Sequence, residues 1–148
     1  MNPDTQRYLE LLEQRISLLG SLAESLSAAS KGFASFDFDT IEASITQQEK
    51  LCAAIRSLGP ELDRVQQHCK AQLSLAPQTG SDSGRLRLRE TIARLNEIQS
   101  TVKRLNEAHQ LLLRRSRRTV GALLNSYHSF AMTYSNPSSA SASAEERL

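Results

Sequence analysis

Residues 85–134, RLRLRETIARLNEIQSTVKRLNEAHQLLLRRSRRTVGALLNSYHSFAMTY, decide the fold. Positions 88, 92, 95, 99, 102, 106, 109, 113, 116, 120, 123, 127, 130 and 134 keep a three–four spacing without a slip. They are Leu, Ile, Leu, Gln, Val, Asn, His, Leu, Ser, Val, Leu, Tyr, Phe and Tyr. That period belongs to one face of a helix, because a strand would alternate every two residues. An unbroken helix over 85–134 spans about 75 Å at about 1.5 Å per residue.

Two shorter helices precede it. The first runs over about 4–34, with a stripe through Leu9, Leu12, Ile16, Leu19, Ala23, Leu26 and Phe33. Leu11, Leu18 and Leu22 widen that stripe, giving a broad buried face. The stretch 32–39 is expected to break it. Asp39, followed three residues on by Glu42, has the form of a capping box. The second helix then covers about 40–74, on Ile41, Ile45, Gln48, Cys52, Ile55, Leu62, Cys69 and Leu73, flanked by Leu51, Leu58 and Val65. Gly59–Pro60 predicts a kink or a restart at 59–60, since proline removes a helical hydrogen bond. Residues 75–84, LAPQTGSDSG, read as an exposed hairpin loop. Residues 135–148, SNPSSASASAEERL, have almost nothing to bury and read as a disordered tail. The expectation is an all-α fold: an elongated antiparallel three-helix bundle or coiled coil over 1–134, with a long third helix. Helix 1 spans about 45 Å by the same rise, so part of helix 3 is expected to project or dock elsewhere.

Composition excludes several classes. The 148 residues are 39% hydrophobic and 5% aromatic, with 6 Gly, 4 Pro and no Trp. No apolar run approaches the roughly 20 residues of a membrane span. The start, MNPDTQRYLELLEQR, lacks the basic and apolar blocks of a signal peptide. Cys52 and Cys69 have no metal-site spacing and read as reduced, half-buried helical thiols. His68, His109 and His128 lie in no HExxH or ExxH pattern, and no phosphate loop or nucleophile elbow is present. No enzyme, cofactor or metal is expected. His109 falls on the inner stripe, beside Gln99 and Asn106, where buried polar residues can fix register.

The net charge of +2 hides an asymmetry. Residues 1–84 carry −4, 85–118 carry +7 and 119–148 carry −1. The simplest outlet for the basic segment is the chain's own acidic helices. Arg114, Arg115, Arg117 and Arg118 are its densest part. Nucleic acid is disfavoured, because residues 85–126 hold no Phe, Tyr or Trp for base stacking. Beyond Leu111 the helix is apolar over more than one narrow stripe. That surplus either completes the bundle or docks a partner helix.

Three stretches give the chain a family resemblance. They are LLEQRISLLGSLAESL, the short break before DFDTIEASITQQEKLCAAIRSL, and RLNEAHQLLLRRSRRTVGALLNSYHSFAMTY. In this order they resemble the FlgN-type flagellar export chaperones. Leu105–Asn106, Leu111–Leu112 and Thr133–Tyr134 match the family's pattern, whereas His109 stands for a frequent Asn and Ser135 for a Gly. The resemblance covers about residues 5–135. It implies a cytosolic, non-enzymatic chaperone for the hook–filament junction proteins FlgK and FlgL before type III export. It also implies that a client's C-terminal amphipathic segment binds the C-terminal part of the chain, here about 105–134. The expected partner-binding residues are Leu105, Leu112, Leu113, Val120, Leu123, Leu124, Tyr127 and Phe130. Arg114, Arg115 and Arg118 are expected to steer an acidic client or the export apparatus. The competing readings are a structural coiled-coil scaffold and a nucleic-acid-binding helical protein.

Overall fold

The computed structural model describes residues 2–75 and 82–134. Three helices account for nearly all of them: α1 (Pro3–Ser35), α2 (Phe38–Leu75) and α3 (Asp82–Tyr134). The chain divides into two units, Met1–His109 and Gln110–Leu148. The expected tail over 135–148 and most of the expected loop over 75–84 lie outside the described residues.

In the first unit the helices run up, down and up. Arg7 reaches Glu61, and Ser25 reaches Ser44, so α2 is antiparallel to α1. Arg87 lies against Glu13 and His109 against Phe33, so α3 runs parallel to α1. Two apolar clusters form the core. Tyr8, Leu11, Leu12, Leu62, Val65 and Cys69 make one, with Leu58, Leu88 and Leu95 against it. Leu22, Leu26 and Leu51 make the other, covered by Leu18, Ile55, Val102 and Leu105. Each fully buried leucine contributes roughly 2 kcal/mol by removal of apolar surface from water.

The α1–α2 turn is tighter than the sequence predicts. Gly32 does not end α1; it is buried within it, and the helix continues to Ser35. Small residues explain this. Ser25, Ala29 and Gly32 line the buried face at intervals of four and three residues. They let the α2 backbone come so close that the Ser25 hydroxyl donates to the Ser44 carbonyl at 2.9 Å. Only two residues then join the helices. Phe36 takes the left-handed conformation (φ 57°), and the Asp37 N–H donates to the Gly32 carbonyl at 2.9 Å. This is a Schellman closure with phenylalanine where glycine is usual.

The α2 cap is Asp37, not Asp39. Its carboxylate accepts from the Thr40 N–H at 3.1 Å and from the Thr40 hydroxyl at 2.6 Å. These bonds hold the carboxyl below its ordinary pKa. The shortened turn starts α2 two residues early, and the helix then runs unbroken through Pro60. No restart occurs there. Pro60 and Arg56, whose carbonyl loses its donor, both lie on the exposed side.

The close approach at Ser44 also rotates the α2 seam. Ile41, Ser44, Leu51, Leu62, Val65 and Cys69 are buried, whereas Ile45 is exposed. Cys52 is exposed rather than half-buried. Cys69 lies in the core, and burial pushes its thiol pKa up. The α3 seam shifts in the same way. It uses Thr91, Leu95, Ile98, Val102, Leu105 and His109, while Ile92 and Asn106 face outward. Of the three polar residues expected on the inner stripe, His109 alone is buried.

Candidate functional site

The described part of the second unit is helical, over 110–134 of α3. Its lone-helix composition is unusual. No charged residue occurs from Thr119 to Tyr134, and no Asp or Glu from Gln110 to Tyr134. At about 100° per residue, Leu112, Leu113, Ser116, Val120, Leu123, Leu124, Tyr127 and Phe130 share one face. A soluble helix ordinarily buries such a face. Here Val120, Leu123, Leu124, Tyr127 and Phe130 are exposed, Leu123 by 65% and Tyr127 by 68%. Leu112 and Leu113 are half-buried. Asn125, Ser126, Ser129, Phe130 and Thr133 line a shallow open depression along the border of this face. The Tyr127 ring meets His128 edge-on, with centroids 6.3 Å apart.

Leu105 belongs elsewhere. It packs on the Leu22–Leu26–Leu51 cluster of the first unit, so its side chain serves that core. Arg114, Arg115, Arg117 and Arg118 are exposed. The expectation that the basic segment faces the chain's own acidic helices holds at Arg87, which lies 3.4 Å from Glu13. The four clustered arginines make no ion pair among the described residues. Sequence reasoning counted Leu111 and Met132 in the surplus apolar surface but not among the expected contacts, and both are exposed on other faces of the same helix. It missed Phe36 and Phe38, exposed on either side of the cap Asp37. The left-handed backbone at Phe36 has no sequence signal, because glycine is the usual occupant.

His109 is the last residue of the first unit. Its ring is 5% exposed and stands edge-on to Phe33 at 5.8 Å. Its Nδ1 has no hydrogen-bond partner, and burial lowers its pKa. A polar atom so placed suits a neutral ring packed on an aromatic edge, not proton-transfer chemistry. Among the described residues no three His, Cys, Asp or Glu side chains gather as a metal site would need. No helix there is long and apolar enough to cross a membrane.

What the arrangement offers is an apolar helical face that a second helix can cover. No curated protein and no solved structure matches the chain. The model of the FlgN family, described as FlgN protein, matches residues 1–141. This is nearly the full length, and it supports a flagellar export chaperone role in general terms. The chain belongs to the FlgN family.

Proposed function

We propose that the protein is a cytoplasmic, non-enzymatic chaperone of type III export, holding the hook–filament junction proteins FlgK and FlgL. The client's C-terminal amphipathic segment lies as a helix along the stripe from Leu112 to Phe130. There its apolar residues are kept from premature self-association. The observation carrying this reading is the exposure of Val120, Leu123, Leu124, Tyr127 and Phe130 on one face of a stretch, 119–134, that carries no charged residue. Monomeric soluble proteins rarely leave such a face open without a partner. Helix-in-groove recognition uses anchors at these spacings.

The test is capture of the C-terminal segments of FlgK and FlgL from the same genome by the full chain at moderate salt. Capture of either segment, lost when Leu112 and Leu123 are both changed to Asp, is the expected result. No capture by the wild-type chain overturns the client assignment and favours the scaffold reading.

A further inference from the structure

The arginines of the second unit point where the apolar stripe does not. At about 100° per residue, Arg114 and Arg118 fall on the face opposite the stripe, and Arg115 and Arg117 at its borders. All four are exposed. They form like-charge neighbours at three- and four-residue spacing: Arg114 with Arg117 and Arg118, and Arg115 with Arg118. Such pairs destabilise a helix. Two arginines of the first unit, Arg7 and Arg87, by contrast have acidic partners. Arg7 sits between Glu61, at 2.8 Å, and Glu10, at 3.4 Å. Here no acidic residue occurs from 110 to 134, so the repulsion has no remedy within the described helix.

We propose that this arginine face is a second docking surface, for a carboxylate-rich helix of a partner protein. It stays open while a client covers the apolar stripe. The inference rests on the stripe being the client side. The carboxylate helix is chosen by charge and spacing. Acidic side chains three and four residues apart on a facing helix match guanidinium groups at the same intervals, and each fork can take a carboxylate in bidentate fashion. A membrane surface fits less well. An interfacial helix carries its Lys and Arg along the length of its polar face, whereas Thr119 to Tyr134, which holds most of the stripe, carries none. A nucleic acid also fits less well. Its affinity grows with the number of phosphates neutralised, and four charges within about one helical turn reach few. The consequence is a handover geometry. A chaperone that grips its client with one side of a helix presents the other side to the next protein without letting go.

The experiment uses the full chain and a fluorescein-labelled synthetic helical peptide with Glu at positions i, i+3, i+4 and i+7. Binding is read by anisotropy at about 0.15 M salt. The peptide is expected to bind, and to weaken about tenfold or more when Arg114, Arg115, Arg117 and Arg118 are all changed to Gln, with helicity unchanged by circular dichroism. Leu123→Asp leaves peptide binding intact, and a saturating client segment does not displace the peptide. The proposal is overturned if the wild-type chain ignores the peptide, or if the client excludes it. It is also overturned if duplex RNA or phosphatidylglycerol vesicles are bound through these arginines in its place. Client capture is scored separately. If the peptide binds and no FlgK or FlgL segment does, the client assignment fails while the arginine surface stands.

Discussion

The His109 imidazole meets the Phe33 ring edge-on, with ring centroids 5.8 Å apart and planes 62° to one another. The contact ties a buried residue of α3 to the end of α1. Burial disfavours the imidazolium, so the folded-state pKa lies below the ordinary value of about 6.5. Between the two values the unfolded chain binds the proton more readily, so stability rises with pH. The contribution is complete above about pH 6.5 and is lost as pH falls through the folded pKa. Melting temperature is therefore expected to drop between about pH 7.5 and about pH 5.5. His109→Leu removes an unpartnered buried polar atom. It should raise stability by about 1 kcal/mol at acid pH and flatten this part of the profile. An unchanged slope in that variant would place the titrating group elsewhere.

Two glycines in one helix are expected to respond with opposite sign. A Cβ at Gly20 would meet nothing within 4 Å. Gly20→Ala should therefore gain helix propensity, about 1 kcal/mol. A Cβ at Gly32 would stand 3.0 Å from Ile41 Cγ1 and 3.3 Å from the Asp37 carbonyl oxygen. The same substitution there has to spread the α1–α2 turn and strain its Schellman closure. Gly32→Ala should lose at least what propensity returns, and Gly32→Val should cost about 2 kcal/mol or more. Urea denaturation of the four proteins checks the ranking.

The turn gives a third expectation. Asp37→Ala removes the acceptor of the Thr40 N–H and hydroxyl and should cost about 1 kcal/mol. Asp39→Ala, one residue inside α2, should cost little. Phe36 is 78% exposed with φ 57°. Phe36→Gly relieves the left-handed strain while surrendering little burial, and should be neutral or stabilising by up to about 1 kcal/mol. Thermal melts of the three variants rank these effects.

Periodicity carried the helical fold, because a three–four rhythm sustained from Leu88 to Tyr134 admits no other regular structure. The family resemblance drew on the order of leucine-rich segments, and the family match covers residues 1–141. What the rhythm could not settle was which of two neighbouring stripes is innermost. Stripes through Ile92 and Asn106, or through Thr91 and Leu105, differ by one residue, and both keep the period. Packing chose the second. In α2 the choice was made by small residues on α1: Ser25, Ala29 and Gly32 admit the α2 backbone at Ser44 and turn Ile45 and Cys52 outward. The cap moved from Asp39 to Asp37 because the left-handed Phe36 shortened the turn, a conformation no residue type there announces. The exposed stripe of 120–130 was legible as surplus apolar surface. Leu105 was not separable from it, because both lie on one continuous period.

That ambiguity sets the last prediction, which separates core from docking surface on one helix. Leu123 and Tyr127 are 65% and 68% exposed, so charging them removes little buried area. Leu123→Asp with Tyr127→Asp should leave the unfolding free energy within about 0.5 kcal/mol of wild type, the usual range for surface substitutions. Capture of the FlgK or FlgL segment should fall by about tenfold or more, since apolar anchors carry most of such binding energy. Leu105→Asp does the reverse. It places a carboxylate against Leu22, Leu26 and Leu51, where no partner can hold it. It should cost about 3 kcal/mol or more, and any loss of capture should follow the loss of fold. Paired denaturation and capture measurements on these variants test both halves. If Leu123→Asp with Tyr127→Asp unfolds the chain, the stripe is core rather than docking surface. If the fold and client capture both survive, the client binds somewhere other than the stripe.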